Sequence, residues 1–401
     1  MRFRYAHASH PDWSQALALC LVQLDAQAKL GSCARDPNLG FAYLSDAFQP
    51  HAQAIVAALA SHTGIANWVG ASGVGICATG TEYPDGAALA VMLGRFEPGS
   101  FSVFSGLQRA PAIGTRTASG ATAAYTALVH ADPYTPELPE LLVDMADKVE
   151  SNYLFGGLAS GQDSCTLIAD RALHGGLSGV VFAGDVGLVS RVSQGCHPIA
   201  AEHSVTRAQD NVIVQLDGER ALDVLLEDAG VRERVRSGGP GETRAALTAL
   251  ARNGLFVGIS PRATGAYRER TPATDYVVRH VVALDPGAGA IAIAAPIDEG
   301  ARIAFCTRDE EAARKDLVRI CTQIREHLDE CGAAGGAAAQ ARGAVYVSCL
   351  GRGRHLFGAQ SEELKIIQQQ LGDVPLVGFY ANGEIGGRNL YGYTGVLTVF
   401  Y

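Results

Sequence analysis

Gly343-Ala-Val-Tyr-Val-Ser-Cys349, Leu350-Gly-Arg-Gly-Arg-His355, Ser361-Glu-Glu363 and Val374-Pro-Leu-Val-Gly-Phe-Tyr380 follow one another near the end of the chain. The first is an apolar run with alternating character and reads as a strand. Gly351 and Gly353 let the backbone turn sharply and expose its N–H groups. Ser361 is placed to cap a helix, with acidic side chains in its positive first turn. Leu364, Ile367 and Leu371 give that helix an apolar stripe. Val374–Tyr380 is a second strand, ending at Ala381-Asn382-Gly383-Glu384, and Thr394–Tyr401 is a third.

The same order of elements occurs twice earlier. Strand Leu39–Leu44, helix His51–His62 and strand Trp68–Gly70 lead to Ala71-Ser72-Gly73. Strand Tyr125–Val129, helix Glu137–Val149 and strand Tyr153–Gly156 lead to Ala159-Ser160-Gly161. A shared Ala-[Ser/Asn]-Gly tripeptide in one structural slot marks an internal repeat. It places Gly73, Gly161 and Gly383 in equivalent turns. Asn211–Ser260 reads as a fourth, decayed copy. Strands interleave with helices, but several strand pairs are joined by short turns. The expected fold is therefore α/β, with mixed sheets covered by helices, in two related lobes built from strand–helix–strand–strand repeats.

Cys349-Leu-Gly-Arg-Gly353, Gly378-Phe-Tyr-Ala-Asn-Gly-Glu384-Ile-Gly386 and Thr394-Gly-Val-Leu-Thr-Val-Phe400 resemble the C-terminal half of the FIST family, the F-box and intracellular signal transduction proteins. Gly156-Gly-Leu-Ala-Ser-Gly161 and Ser193-Gln-Gly-Cys-His-Pro198 resemble its N-terminal half. The resemblance implies a small-ligand sensory module rather than an enzyme, with an amino acid or similar metabolite as ligand. It also implies, as an alternative, a haem-based nitric-oxide sensor acting on a partner histidine kinase. The partition it suggests is an N-terminal strand and helix over residues 1–34, a FIST N-type domain over 35–210 and a FIST C-type domain over 211–401. The clearest flexible break, Ser237-Gly-Gly-Pro-Gly241, lies a little beyond that boundary.

The composition narrows the partners. The chain has 401 residues and a net charge of −9, which argues against nucleic acid. Its nine cysteines are scattered without a CxxC pair, so reduced thiols and a cytoplasmic location are expected. No signal peptide and no run long enough to span a bilayer is visible.

Four constellations could carry chemistry. Arg352 and Arg354, among glycines at a strand end, suit an anion, with Asn382, Gly383 and Glu384 beside them at a neighbouring strand end. The alternative is an Arg–Glu384 ion pair that only closes the loops. Ser72-Gly73 and Ser160-Gly161 would join them if the repeats converge, or else are simple turns. Cys196-His197 offers a thiolate or an imidazole to haem iron, against a plain loop histidine beside an ordinary thiol. Cys349 with His355 could make a nucleophile for a hydrolase or transferase, against a buried inert thiol. No P-loop, dinucleotide fingerprint, G-x-S-x-G or H-E-x-x-H occurs.

Overall fold

A computed structural model describes the chain apart from residues 107–113, 118–119, 163, 239–244, 246–247, 249–253, 261–275 and 336–338. The first segment carries β1 (Arg4–Ser9), α1 (Trp13–Ala28), β2 (Leu39–Ser45), α2 (Ala52–Thr63), β3 (Asn67–Gly73), the hairpin β4 (Ile76–Ala78) and β5 (Thr81–Tyr83), and β6 (Ala88–Gly94). The second carries β7 (Phe101–Gly106), β8 (Gly114–Thr117), β9 (Gly120–Ala123), β10 (Thr126–Ala131), α3 (Leu138–Asp147), β11 (Tyr153–Leu158), the hairpin β12 (Leu167–Ala169) and β13 (Ala172–Leu173), β14 (Leu177–Phe182) and β15 (Leu188–Gln194). Then come β16 (Cys196–Pro198), β17 (His203–Gln209), β18 (Val212–Leu216), β19 (Glu219–Arg220), α4 (Ala221–Asp228), α5 (Arg232–Ser237), β20 (Leu255–Ile259), β21 (Val277–Asp285), β22 (Ala290–Ile293), β23 (Arg302–Arg308) and α6 (Glu310–Gly335). The last segment holds β24 (Gly343–Cys349), α7 (Arg354–Phe357), α8 (Glu362–Leu371), β25 (Leu376–Ala381), the hairpin β26 (Glu384–Gly387) and β27 (Asn389–Tyr391), and β28 (Thr394–Phe400).

These elements form two compact α/β units, residues 1–193 with 314–401, whose sheets are mixed, and residues 194–313, whose strand pairs are antiparallel among the described residues. The compact units differ from a linear division at residue 210, because strand pairing joins the first and last thirds of the chain. All three repeats lie in the first unit. In each, two strands run parallel across a helical crossover, and a third lies antiparallel on the other side of the first: β6-β2-β3, β14-β10-β11 and β28-β24-β25. Asn211–Ser260 is not a fourth copy. Its β18 pairs antiparallel with β17 and β22, and its β20 antiparallel with β21 and β23, so the parallel crossover that defines the repeat is missing. Of the break at Ser237–Gly241, Gly239, Pro240 and Gly241 lie outside the described residues.

A close backbone approach sets the register of each repeat. A Cβ on Gly70 would stand 1.8 Å from the Ala42 carbonyl oxygen, one on Gly156 2.0 Å from that of Val129, and one on Gly378 1.7 Å from that of Tyr346. Only glycine fits there. Five residues beyond these glycines stand Gly75, Gly161 and Gly383. Gly161 and Gly383 are thus equivalent, as expected, but their partner in the first repeat is Gly75. Gly73 lies two residues earlier, at the end of β3. The Ala-Ser-Gly at 71–73 is out of phase with the other two tripeptides.

Each hairpin leaves its own repeat. β4–β5 extends the sheet of the third repeat through β25, β12–β13 that of the first through β3, and β26–β27 that of the second through β11. The exchange closes a three-membered cycle. Backbone bonds at the strand ends follow it: Tyr380 N–H to Gly75 O at 2.9 Å, Leu158 N–H to Gly383 O at 2.8 Å, and Ser72 N–H to Thr166 O at 2.8 Å. The inward faces share one apolar core, including Phe41 and Tyr43, Phe155 and Phe182, and Phe379 and Phe400. Alternate residues of the same strands face outward. Ala42 and Leu44 join a cluster with α1 and α2, and Ala127 and Val129 one with α3.

One local expectation changes. Ser361 does not cap α8 with its hydroxyl, which accepts from Glu82 N–H at 2.9 Å. The Glu82 carboxylate, delivered by the exchanged hairpin, accepts from the Ser361 and Leu364 N–H groups instead. Helix α6 is capped by Asp309, which accepts from Ala312 N–H at 2.6 Å. That helix runs to Gly335.

Candidate functional site

Register makes Tyr346 the counterpart of Ala42 and Val129, and Ser348 that of Leu44 and Ala131. In the first two repeats this outward layer is aliphatic. In the third it is polar and closed. Arg352 and Glu363 have side chains wholly out of solvent, with Nε to Oε1 at 2.6 Å. Glu363 also accepts from the Tyr346 hydroxyl at 2.5 Å, the Ser348 hydroxyl at 3.1 Å and Gly353 N–H at 3.1 Å. The Arg352 guanidinium donates to the Ser193 carbonyl and hydroxyl and lies over the Phe357 ring. Glu82 is buried on the same side. Its burial, then the nearby Glu363, push its carboxyl up to about 7. The Tyr380 hydroxyl, near Glu82, has no hydrogen-bond partner of ordinary geometry.

A second piece of the site sits at the strand ends. Glu384 opens β26 and is completely buried. Its Oε2 accepts from Thr394 N–H at 3.1 Å and from the Thr394 hydroxyl at 2.7 Å, while Oε1 is buried with no hydrogen-bond partner of ordinary geometry, the Cys349 thiol standing beside it. Burial raises its carboxyl to about 8, against the pull of Thr394 and Arg352. Cys349 lies beside it; burial and the Glu384 charge push that thiol well above its ordinary range. This is the opposite of an activated nucleophile, and His355 stands exposed on α7. Tyr393, held at φ 63°, packs over Gly351, where a Cβ would lie 3.2 Å from its ring.

The other residues singled out in the sequence fall as follows. Arg352 is engaged by Glu363 and Ser193, so it does not offer a free fork to a carboxylate, and it makes no ion pair with Glu384. Arg354 is half-exposed and pairs with the exposed Asp85 at 2.8 Å. Asn382 is exposed, and Gly383 is packed between Leu390 and Leu158. Ser72, Ser160 and Tyr380 do converge, but as mutual supports. The Ser72 hydroxyl accepts from Thr166 N–H at 3.0 Å. The Ser160 hydroxyl accepts from Val74 N–H at 2.9 Å and donates to the Tyr380 carbonyl at 2.5 Å. Gly73 and Gly161 leave no room for a side chain against Gly75 O and Ser164 O. Cys196 and His197 are neighbours on β16 in the second unit; Cys196 is buried, and His197 is half-buried with its Nδ1 enclosed and unpartnered.

Sequence reasoning missed Glu82, Glu363, Tyr346 and Tyr380. One signal was available for Glu363. It stands three and four residues before Ile366 and Ile367, on the buried stripe of α8, where an unpaired glutamate would not survive.

The FIST N domain matches residues 38–219 and the FIST C domain residues 221–387. The chain belongs to the FIST family, whose domains are associated with sensing in signal transduction. It is 33% identical over 302 residues to an uncharacterized protein of Mycobacterium bovis, covering 71% of this chain and 72% of the relative. It is 32% identical over 277 residues to an uncharacterized protein of Mycobacterium tuberculosis, covering 67% and 66%. Among the described residues no helix is long and apolar enough to cross a membrane.

Proposed function

We propose that this chain is a small-ligand sensor, not an enzyme, and that its ligand is an amino acid or similar amine-bearing metabolite bound at Glu384. One observation carries the reading: of three repeats with the same architecture, only the third replaces its aliphatic outward layer with buried charge, and there Glu384 Oε1, with only the Cys349 thiol beside it, has no hydrogen-bond partner of ordinary geometry. A buried carboxyl oxygen left unsatisfied costs free energy that a ligand's ammonium group would recover. The position suits a ligand, since α/β sheets bind at the carboxyl ends of their strands. Arg352 holds the loop through Glu363 and biases the field rather than touching the ligand. Tyr393 acts as the lid; its left-handed backbone is a strained state that opening relieves. Output passes through a separate signalling protein, with a histidine kinase as the family-based candidate, in a cytoplasmic setting.

The test is calorimetric titration with a panel of amino acids and other amines in two buffers of different ionisation enthalpy. A carboxyl near 8 is mostly protonated at neutral pH. Binding an ammonium ion there therefore releases a proton to the buffer, and Glu384→Gln abolishes both the release and the tight binding. A specific ligand that binds with no proton exchange and is indifferent to Glu384→Gln places the site elsewhere.

A second reading is haem in the second unit, with His197 or Cys196 as axial ligand. The enclosed, unpartnered His197 Nδ1 favours it. Neighbouring strand residues point to opposite faces, so only one of the pair can serve a given iron. Reconstitution that yields no Soret band removes this reading.

A further inference from the structure

His327 and Cys331 are one turn apart on α6, and Tyr401 follows β28, all in the first unit. Their polar atoms form a triangle. His327 Nε2 is 3.1 Å from the Tyr401 hydroxyl and 3.5 Å from Cys331 Sγ, and Cys331 Sγ is 3.6 Å from the same hydroxyl. We propose that these three side chains form a binding site for a divalent transition-metal ion of the zinc–cobalt class.

The distances are the first support. Tetrahedral zinc with thiolate, imidazole and oxygen donors at about 2.3, 2.05 and 2.0 Å requires donor separations of about 3.6 Å for S to N, about 3.3 Å for N to O and about 3.5 Å for S to O. The three measured edges lie within a few tenths of these values. The second support is placement. Donors at i and i+4 share one helix face, the spacing by which helices present paired metal ligands. The third is chemistry: borderline nitrogen with soft sulfur suits zinc and cobalt, not magnesium or calcium. Among the described residues no group of three His, Cys, Asp and Glu side chains is placed to hold an ion; here the third donor is a phenol. Each of the three residues is half-exposed, so an ion reaches them from solvent without unfolding.

The triangle is one face of a tetrahedron, which leaves the fourth position for water or a small ligand. The hydrogen bonds already orient the donors. The thiol donates to the Tyr401 oxygen, and in the tautomer that leaves Nε2 its lone pair the phenol donates to Nε2, so that lone pair is directed inward. On binding, the metal forms bonds to Sγ, Nε2 and the phenolic oxygen, and the thiol proton leaves to solvent. At least one proton is thus released per ion, and affinity rises with pH.

The experiment uses the full chain, stripped with a chelator and kept reduced by a phosphine, titrated with Co2+ and read by absorbance. The expected result is saturation at one equivalent, with thiolate-to-cobalt charge transfer and the intense visible bands of a four-coordinate ion, both removed by added Zn2+. Cys331→Ser abolishes the charge-transfer band. His327→Gln and Tyr401→Phe each weaken binding by about tenfold or more, and His355→Ala, an exposed imidazole elsewhere, leaves it unchanged. Tryptophan emission checks that each variant is folded, since Trp13 and Trp68 both lie in the first unit. Absence of a one-equivalent endpoint, or a charge-transfer band that survives Cys331→Ser in folded protein, overturns the proposal.

Discussion

Glu384→Gln is expected to stabilise the first unit, by an amount that grows with pH. The carboxyl moves from 4.5 in the unfolded chain to about 8 in the fold, where burial is the largest cause. The folded state therefore keeps a proton that the unfolded state gives up. Stability is greatest below 4.5 and falls as pH rises towards 8, by about 1.4 kcal/mol for each tenfold change in proton concentration. Integrated from the fully protonated state, the loss is about 2 kcal/mol at pH 6, about 3 kcal/mol at pH 7 and about 5 kcal/mol at pH 8.5. Glutamine keeps an acceptor for Thr394 and has no charge to lose, so the variant is spared this slope. Urea unfolding followed by tryptophan emission reports the first unit alone, because both tryptophans are there and Trp68 is fully buried. Glu82 adds a slope of the same sign, but in both proteins, so it drops out of the difference. A stability difference that is flat between pH 6 and 8.5, or that shrinks, would refute the argument that Glu384 is buried and protonated in the fold.

Other substitutions probe other parts of the structure. Arg352→Met leaves Glu363 buried without its cation and costs about 3–5 kcal/mol, much of which Arg352→Met with Glu363→Leu restores; additive costs in the double-mutant cycle would contradict this. Gly378→Ala places a Cβ 1.7 Å from Tyr346 O and prevents the first unit from folding, whereas Gly31→Ala, with nothing within 4 Å, leaves the urea midpoint unchanged. Ser160→Ala removes the hydroxyl between Val74 N–H and Tyr380 O and costs about 1–3 kcal/mol in the same unfolding assay. In the second unit, Asp217 and Asp228 clamp His203 at 2.7 and 3.0 Å. Although burial opposes its charge, they hold His203 above 6.5. That stability is present below 6.5 and is lost as pH rises through the raised value, so His203→Gln should speed hydrogen exchange in residues 203–228 more at pH 6 than at pH 8.5.

The repeats were legible in sequence because each combines a strand–helix–strand pattern with a glycine that cannot be replaced. The phase of the first was not. Ala71-Ser72-Gly73 imitates the tripeptide, while the true register is set by the contact of Gly70 with Ala42, which no local pattern records. The hairpin exchange was also hidden, since a short hairpin carries no mark of the sheet edge it will join. In the loop from Gly351 to Arg354, two arginines of similar appearance in the sequence have opposite fates. Arg352 is drawn inward by Glu363, and Arg354 stays out with Asp85. Composition could not separate them, because the difference lies in where α8 aims one glutamate.

The exchanged hairpins also bear on the order in which the chain can complete its sheets during synthesis. Thr79 bonds the Val374 carbonyl and accepts from Leu376 N–H, contacts that span 295 and 297 residues. At synthesis rates of about 5–20 residues per second, the β4–β5 hairpin waits roughly 15–60 s for the edge it will occupy. A β4–β5 hairpin formed in that interval would carry an unpaired strand edge, a ready template for another chain. Glu82 is in that waiting hairpin, and a charge there blunts such an edge. The same carboxylate that caps α8 in the finished fold would thus guard such an edge while the third repeat is still being made.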